Sequence, residues 1–120
     1  FSTWVSATGR LIAAHSGLTW PQLRQHFKKI PWDQPPTYDT WKKQVELARD
    51  RGWSVDKDCF MSGVSVLAVP VFGSAGRMTH TLVAAGLSSQ IGAVATQAIV
   101  AKMQNAARDM GRHLQALHRQ

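Results

Sequence analysis

One cysteine, Cys59, is all the sequence contains, so an internal disulfide is excluded and a reducing compartment is expected. No apolar run reaches the length of a membrane span, and no signal sequence is recognisable. Acids are scarce, seven Asp and Glu in all, and the only close pair is Asp56 and Asp58, two apart on what reads as an extended segment. Five histidines (His15, His26, His80, His113 and His118) and one cysteine give no metal-ligand spacing, so no metal is expected. Gly73-x-x-Gly76 is not followed by the lysine of a phosphate loop. Asp58 beside Cys59 raises a thiol pKa rather than lowering it, which argues against a cysteine nucleophile. No catalytic residue and no cofactor is therefore expected.

What is present is 120 residues, 44% hydrophobic and 18% charged, enough for one domain with a sizeable core. The net charge is +7. Its positive groups are spread from Arg10 to Arg119 and often sit beside acids, with the densest cluster at Arg108, Arg112, His113, His118 and Arg119. No groove-reading motif accompanies them, so a solvated face is expected rather than DNA contact by this chain. The chain starts at Phe1 rather than Met, so a fragment or processed product is expected.

The stretch from Gly52 to Gly86 organises the rest. Gly63 to Phe72 is a β-prone apolar run, Gly73-Ser74-Ala75-Gly76 breaks it, and Met78 to Ala85 is a second run: a β-hairpin. No charge falls between Ser62 and Gly76, which predicts a first strand buried on both faces. Pro70 cannot donate to a ladder and so should sit beside an edge, a bulge or the last pairing.

Around the hairpin the pattern is helical. A helix over the LIAAHS segment would be capped by Ser6 or Thr8, and Phe1 to Val5 before it is β-prone. Thr19-Trp20-Pro21 starts another, with Leu23, Phe27 and Ile30 inward and Pro31 ending it. A stiff proline-rich loop leads to a helix from Tyr38 to Arg51, capped at Thr37 and stopped by Gly52, with Tyr38, Trp41, Val45 and Ala48 as its apolar face. Trp53 to Asp56 reads as a short strand. Ser88 or Ser89 would cap a long final helix reaching Leu117, striped by Ile91, Ala95, Ile99, Met103, Ala106, Met110, Leu114 and Leu117. The class is α+β, helices on an antiparallel sheet. Three or four strands are few for so much helix, so further strands from a missing N-terminal part or a partner chain are expected.

Taken together, several segments resemble the C-terminal ligand-sensing domain of IclR-type bacterial transcription regulators. They are Ser6-Ala7-Thr8-Gly9-Arg10-Leu11, then Arg49-x-x-Gly52-Trp53-Ser54-x-Asp56, then Gly63-Val64-x-x-Leu67-Ala68-x-Pro70-Val71-Phe72, the return strand to Ala85-Gly86, and the long terminal helix. The resemblance implies a GAF-like, profilin-like sheet with a pocket against it, incomplete in this chain. It implies a cytoplasmic homo-dimer or tetramer that binds a small organic effector, with no membrane partner. DNA contact would come only through a winged helix-turn-helix domain absent here.

By the same resemblance the effector contacts fall on Ala7, Thr8, Asp56, Val66, Val83 and Ala85. Val66, Val83 and Ala85 replace small polar or Cys/Ser-type contacts of some relatives, which points to an apolar or aromatic body with a polar end near Thr8 and backbone amides. A closed chamber between Thr8, Asp56 and Val83 is the expected form. Two other readings stand beside this one: a small α+β enzyme centred on Asp56, and a structural dimerisation domain using the terminal helix.

Overall fold

A computed structural model describes residues 4–118. The β-prone start at Phe1 to Thr3, and Arg119 of the basic cluster, lie outside the described residues. Four helices and three strands follow in the order α1 (Ser6–His15), α2 (Trp20–Lys28), α3 (Tyr38–Arg51), β1 (Ser54–Lys57), β2 (Val64–Phe72), β3 (Met78–Leu87) and α4 (Ala93–His118). The class is α+β, as the patterning predicts.

β2 is the central strand. β1 pairs antiparallel with it from Ser54 opposite Ala68 to Lys57 opposite Ser65. β3 pairs along its other side from Leu87 opposite Val64 to Met78 opposite Phe72, with a bulge between Val71 and Phe72. Both faces of β2 are covered: Leu67, Ala68, Val69 and Val71 have no exposed surface. Pro70 lies beyond Ala68, the last residue paired with β1, so its missing donor falls where that edge has ended. Among the described residues β3 has β2 as its one neighbour, and its outer edge is unpaired.

Alternation along β2 divides the molecule. Leu67, Val69 and Val71 face α4 and pack with Val100 and Ala107, joined by Trp53, Val55, Leu82, Ile99, Met103 and Leu114. Ala68 and Val66 face the other way, against Ala7 and Leu11 of α1, Ala48 of α3, and Met78. Beyond α1 and α3 a third cluster joins Ala13, Leu23, Trp41 and Val45, with the aromatic rings of Trp20, Phe27, Trp32 and Tyr38 around it. Each buried Leu or Val contributes roughly 1.5–3 kcal/mol.

Local signals set two of the helix starts. Thr19 forms a reciprocal capping box with Gln22. Thr37 accepts from the Thr40 amide, and α3 ends on Gly52 in the left-handed region at φ 83°. Elsewhere the structure differs from expectation. α1 is preceded by Val5 and has no side-chain cap among the described residues; neither Ser6 nor Thr8 plays that part. Ser88 and Ser89 lie in a short turn, Ser88–Gln90, before α4 begins at Ala93. The Ser88 hydroxyl is drawn instead to Asp58 Oδ1 at 2.5 Å and Ser65 Oγ at 2.9 Å.

The stripe on α4 is also out of phase with the expected one. Ala106, Met110 and Leu117 are exposed, and Val100, Ala107 and Gly111 are buried in their place. At about 100° per residue, a step of four from Met103 lands on Ala107, whereas Ala106 turns to the flank. Gly111 lets α4 approach the sheet: a Cβ there would stand 2.6 Å from the Phe72 carbonyl oxygen. Gly111→Ala should therefore destabilise the chain by about 1–3 kcal/mol in urea unfolding. An unchanged midpoint would show that α4 is not seated against Phe72.

Candidate functional site

The Ser6-x-x-Gly9-Arg10 segment folds onto the β1 strand as a unit. Gly9 is required because a Cβ would lie 1.9 Å from the Trp4 carbonyl oxygen. Arg10 then reaches inward with only 1% of its surface exposed. Its Nη1 donates to Asp56 Oδ2 at 2.8 Å and to the Ser6 carbonyl at 3.0 Å, and its Nε donates to Gln44 Oε1 at 2.9 Å. The guanidinium lies 5.4 Å from the centre of the Trp32 ring. Asp56, also 1% exposed, accepts the amides of Cys59 and Phe60 on its other oxygen. Ser54 Oγ closes the unit by donating to the Ala7 carbonyl. Burial pushes the Cys59 thiol pKa up, and the carboxylates of Asp56 and Asp58 add to this while Arg10 opposes it.

The start of α1 is polar and unfinished. Its first backbone bond runs from the Gly9 amide to the Val5 carbonyl at 2.8 Å, so the amides of Ser6, Ala7 and Thr8 precede the ladder. Ser6 is buried in the left-handed region at φ 58°, a conformation that costs a non-glycine residue about 1–3 kcal/mol. Its Oγ, and Nη2 of Arg10, are buried without a hydrogen-bond partner among the described residues.

A cleft of ≈ 400 Å³ separates α1 from β3, lined by Thr8, Ile12 and His15 on the helix, by Ser16 just past its end, and by residues 78–81 on the strand. It is open to solvent. Further along β3, Val83, Ala85 and Leu87 face the α1 side, opposite Ala68, Val66 and Val64 in the ladder. Val83 is 52% exposed and Leu87 54%, a short apolar strip that nothing among the described residues covers.

The six expected contact residues thus separate. Thr8 lines the cleft. Val83 and Ala85 are exposed on the adjoining strip, and Val66 is half-buried against Ala7, which is itself fully buried. Asp56 is not with them: it lies beneath α1, held by Arg10. The expected closed chamber between Thr8, Asp56 and Val83 is an open face in this chain, because β3 ends the sheet and the Arg10 pair draws Asp56 away.

His15 and Ser16 were not foreseen as cleft residues, since a single histidine closing an alanine-rich helix carries no spacing signal. His15 packs edge-on against Phe72, with ring centres 5.3 Å apart. Partial burial lowers its pKa from the ordinary 6.5, and the nearby charge of Arg49 lowers it further. A second groove of ≈ 450 Å³ lies between α4 and the end of β2, rimmed by Arg108 and Arg112, and holds none of the expected residues. Those two arginines are engaged on their own helix by Asn105 and Asp109. Among the described residues no three His, Cys, Asp or Glu side chains cluster to hold a metal, and no helix is long and apolar enough to cross a membrane.

The family model for bacterial transcriptional regulator IclR C-terminal domains matches residues 2–112. Similar solved structures include an IclR transcriptional regulator from Alicyclobacillus acidocaldarius, 19% identical over 93% of this chain and 46% of that one, with a TM-score of 0.77. The Agobacterium tumefaciens repressor BlcR is 15% identical over 93% of this chain and 46% of its own, at a TM-score of 0.74. The Thermotoga maritima IclR is 19% identical over 92% and 46%, at 0.73. The chain thus spans about half the length of the structures it matches. No curated protein matches it by sequence. The matched family is one of transcriptional regulators, which leaves the enzyme alternative without support.

Breaking the buried pair with Arg10→Met leaves the Asp56 charge unpaired and should cost about 3–5 kcal/mol of stability, whereas the exposed Arg49→Met should cost almost nothing. Equal midpoints for the two variants in denaturant unfolding would refute the structural role given to Arg10. For His15 the neutral form is favoured in the folded chain, so the unfolded chain takes up its proton first. The stability it supports above pH 6.5 is lost as pH falls through its lowered folded value. Thermal midpoints measured against pH should show a shallower acid decline in His15→Gln than in the parent chain.

Proposed function

We propose that this chain, which belongs to the family of bacterial transcriptional regulator IclR C-terminal domains, is the effector-sensing module of a DNA-binding regulator. The observation that supports this best is the uncovered strip of Val83, Ala85 and Leu87 running into a polar cleft that ends at the uncapped start of α1. An uncovered apolar strip beside a polar cleft is the kind of surface on which a ligand or partner binds.

The ligand that suits this surface is a small organic acid or phenol with an apolar or aromatic body. Its body would lie over Val66, Val83 and Ala85, and its polar end would reach Thr8 and the first-turn amides of α1, where the helix end favours negative charge. Ala7 contributes backbone only, being fully buried. Asp56 contributes indirectly: its pairing with Arg10 fixes where α1 begins. An extended segment paired along the outer edge of β3 would supply the remaining wall.

In the whole regulator this domain would act in the cytoplasm and assemble as a dimer or tetramer. It would relay occupancy to a separate winged helix-turn-helix domain by favouring one relative placement of the subunits. The exposed Val94, Met110 and Leu117 on α4 offer apolar surface for that assembly.

A ligand that binds only the folded state raises stability by about 2.7 kcal/mol at a hundred times its dissociation constant. Thermal unfolding against a panel of small acids and phenols should therefore give raised midpoints for a subset of compounds. Val83→Asp, on an exposed position, should abolish those shifts while leaving the unliganded midpoint nearly unchanged. A well-folded chain that responds to no compound, or a Val83→Asp variant that responds fully, would overturn the reading.

A further inference from the structure

We propose that the groove between α4 and the far end of β2 docks an extended acidic segment of a partner protein, one in which two carboxylates flank an apolar residue. The groove lies against α4 rather than α1 and shares no residue with the α1–β3 cleft. The proposal therefore stands independently of the effector reading.

The first ground is the lining. The groove holds ≈ 450 Å³, and its floor is apolar: Pro70 and Phe72 at the end of β2, with Ala107 and Gly111 on α4. Gly111 has no side chain to fill it. Arg108 and Arg112 stand on the rim, and none of the lining residues is acidic. Neither arginine is held firmly elsewhere. Arg108 donates to the neutral amide of Asn105, and Arg112 pairs with Asp109 of its own helix in a contact that is exposed on both sides. Exposed pairs of that kind contribute little, so a carboxylate arriving from a partner can take the place of either.

The second ground is spacing. Arg108 and Arg112 are four residues apart, about 6 Å along the helix. Alternate side chains of an extended chain are about 6.6 Å apart and point the same way, while the one between them turns to the other side. Two acids at alternate positions would therefore meet the two arginines as the apolar residue between them enters the floor. From Gln104 to Gln115 the groove runs about 16 Å, room for about five extended residues. The strand wall suits such a chain too. β1 stops at Ser54 opposite Ala68, so beyond that point β2 has no strand on this side among the described residues. Its free edge offers backbone groups to an extended peptide, except at Pro70, which has no amide hydrogen.

Other occupants fit less well. A nucleic-acid backbone would meet the arginines but has no apolar group for the floor between Pro70 and Phe72. The apolar assembly surface of α4 is elsewhere on the helix: Met110 is two residues, about 200°, from each arginine and so points away from the groove. The test is a nuclear magnetic resonance titration of the full chain with the peptide acetyl-Gly-Glu-Leu-Glu-Gly-amide. Saturable shifts should appear at the amides of Gln104, Arg108 and Gly111. The isomer Gly-Glu-Glu-Leu-Gly should bind several-fold more weakly, and the Gln-Leu-Gln analogue should not bind. Arg108→Gln and Arg112→Gln should each weaken binding by up to about fivefold, and the two together should abolish it. Both positions are exposed, so the variants should unfold at the parent midpoint. Raising the ionic strength from about 0.05 M to about 0.5 M should also weaken the complex.

Equal affinity for the two acidic isomers, undiminished binding in the double variant, shifts that map away from the groove, or no binding of any peptide would each overturn the assignment. A duplex oligonucleotide that shifts these amides where the peptide does not would give the groove to nucleic acid instead. Self-association seen in sedimentation and lost in the double variant, with no response to peptide, would give it to a second copy of this chain. None of these outcomes bears on the thermal-shift panel, which tests the effector reading by itself.

Discussion

The pairing of Arg10 with Asp56 joins the parts of this molecule that would otherwise be free to slide. A guanidinium and a carboxylate, both 1% exposed, meet at 2.8 Å. Burying them is costly, and the cost is offset in part by further hydrogen bonds, while Nη2 of Arg10 has no partner among the described residues. The Ser6 carbonyl, Gln44 of α3 and the amides of Cys59 and Phe60 complete the arrangement. Such a pair adds little net stability over apolar residues of the same size. What it does is fix the placement of α1 relative to β1 and α3, and therefore where Thr8 stands relative to β3.

From that placement the unequal treatment of the two sheet faces follows. On the α4 side the core is continuous, and Gly111 allows helix and strand to touch. On the other side α1 and α3 cover β1 and β2 and reach β3 only at Met78, leaving Val83 and Leu87 exposed. The gap between α1 and β3 is therefore a consequence of how far Arg10 draws α1 across the sheet. Its polarity comes from the helix end and from the Met-Thr-His-Thr opening of β3, and the apolar surface adjoining it from Val83, Ala85 and Leu87 further along. A sensor needs both qualities side by side, one to drive burial and one to discriminate.

Features that depend on residues three or four apart were legible in the sequence. The Thr19 capping box, the Thr37 cap, the Gly52 stop and the hairpin are of this kind, and the twofold burial of β2 followed from its lack of charge. What the sequence concealed were contacts across long separations. Asp56 reads as a ligand contact by its position in the motif, yet its partner is Arg10, 46 residues earlier. Ser88 has the look of a helix cap, yet its hydroxyl belongs to Asp58, 30 residues back. The phase of α4 slipped at Ala106 and Met110 because alanines and methionines on both flanks of an apolar helix leave the stripe ambiguous. Of the residues read as contacts, Thr8, Val83 and Ala85 stand on the open surface, because β alternation and the start of a helix are local properties.

The outer edge of β3 has a bearing on timing. Alternate residues of that ten-residue strand offer amides and carbonyls to any extended segment, with no lysine, proline or acid in the strand to discourage it. A strand that zipped onto this margin would also stand as a fence along the trough, over the same valine and leucine that a guest would touch. Guest exit would then wait on fraying of that strand, so the lifetime of the signal would be set by how firmly the sheet's border is stitched rather than by contacts to the guest alone.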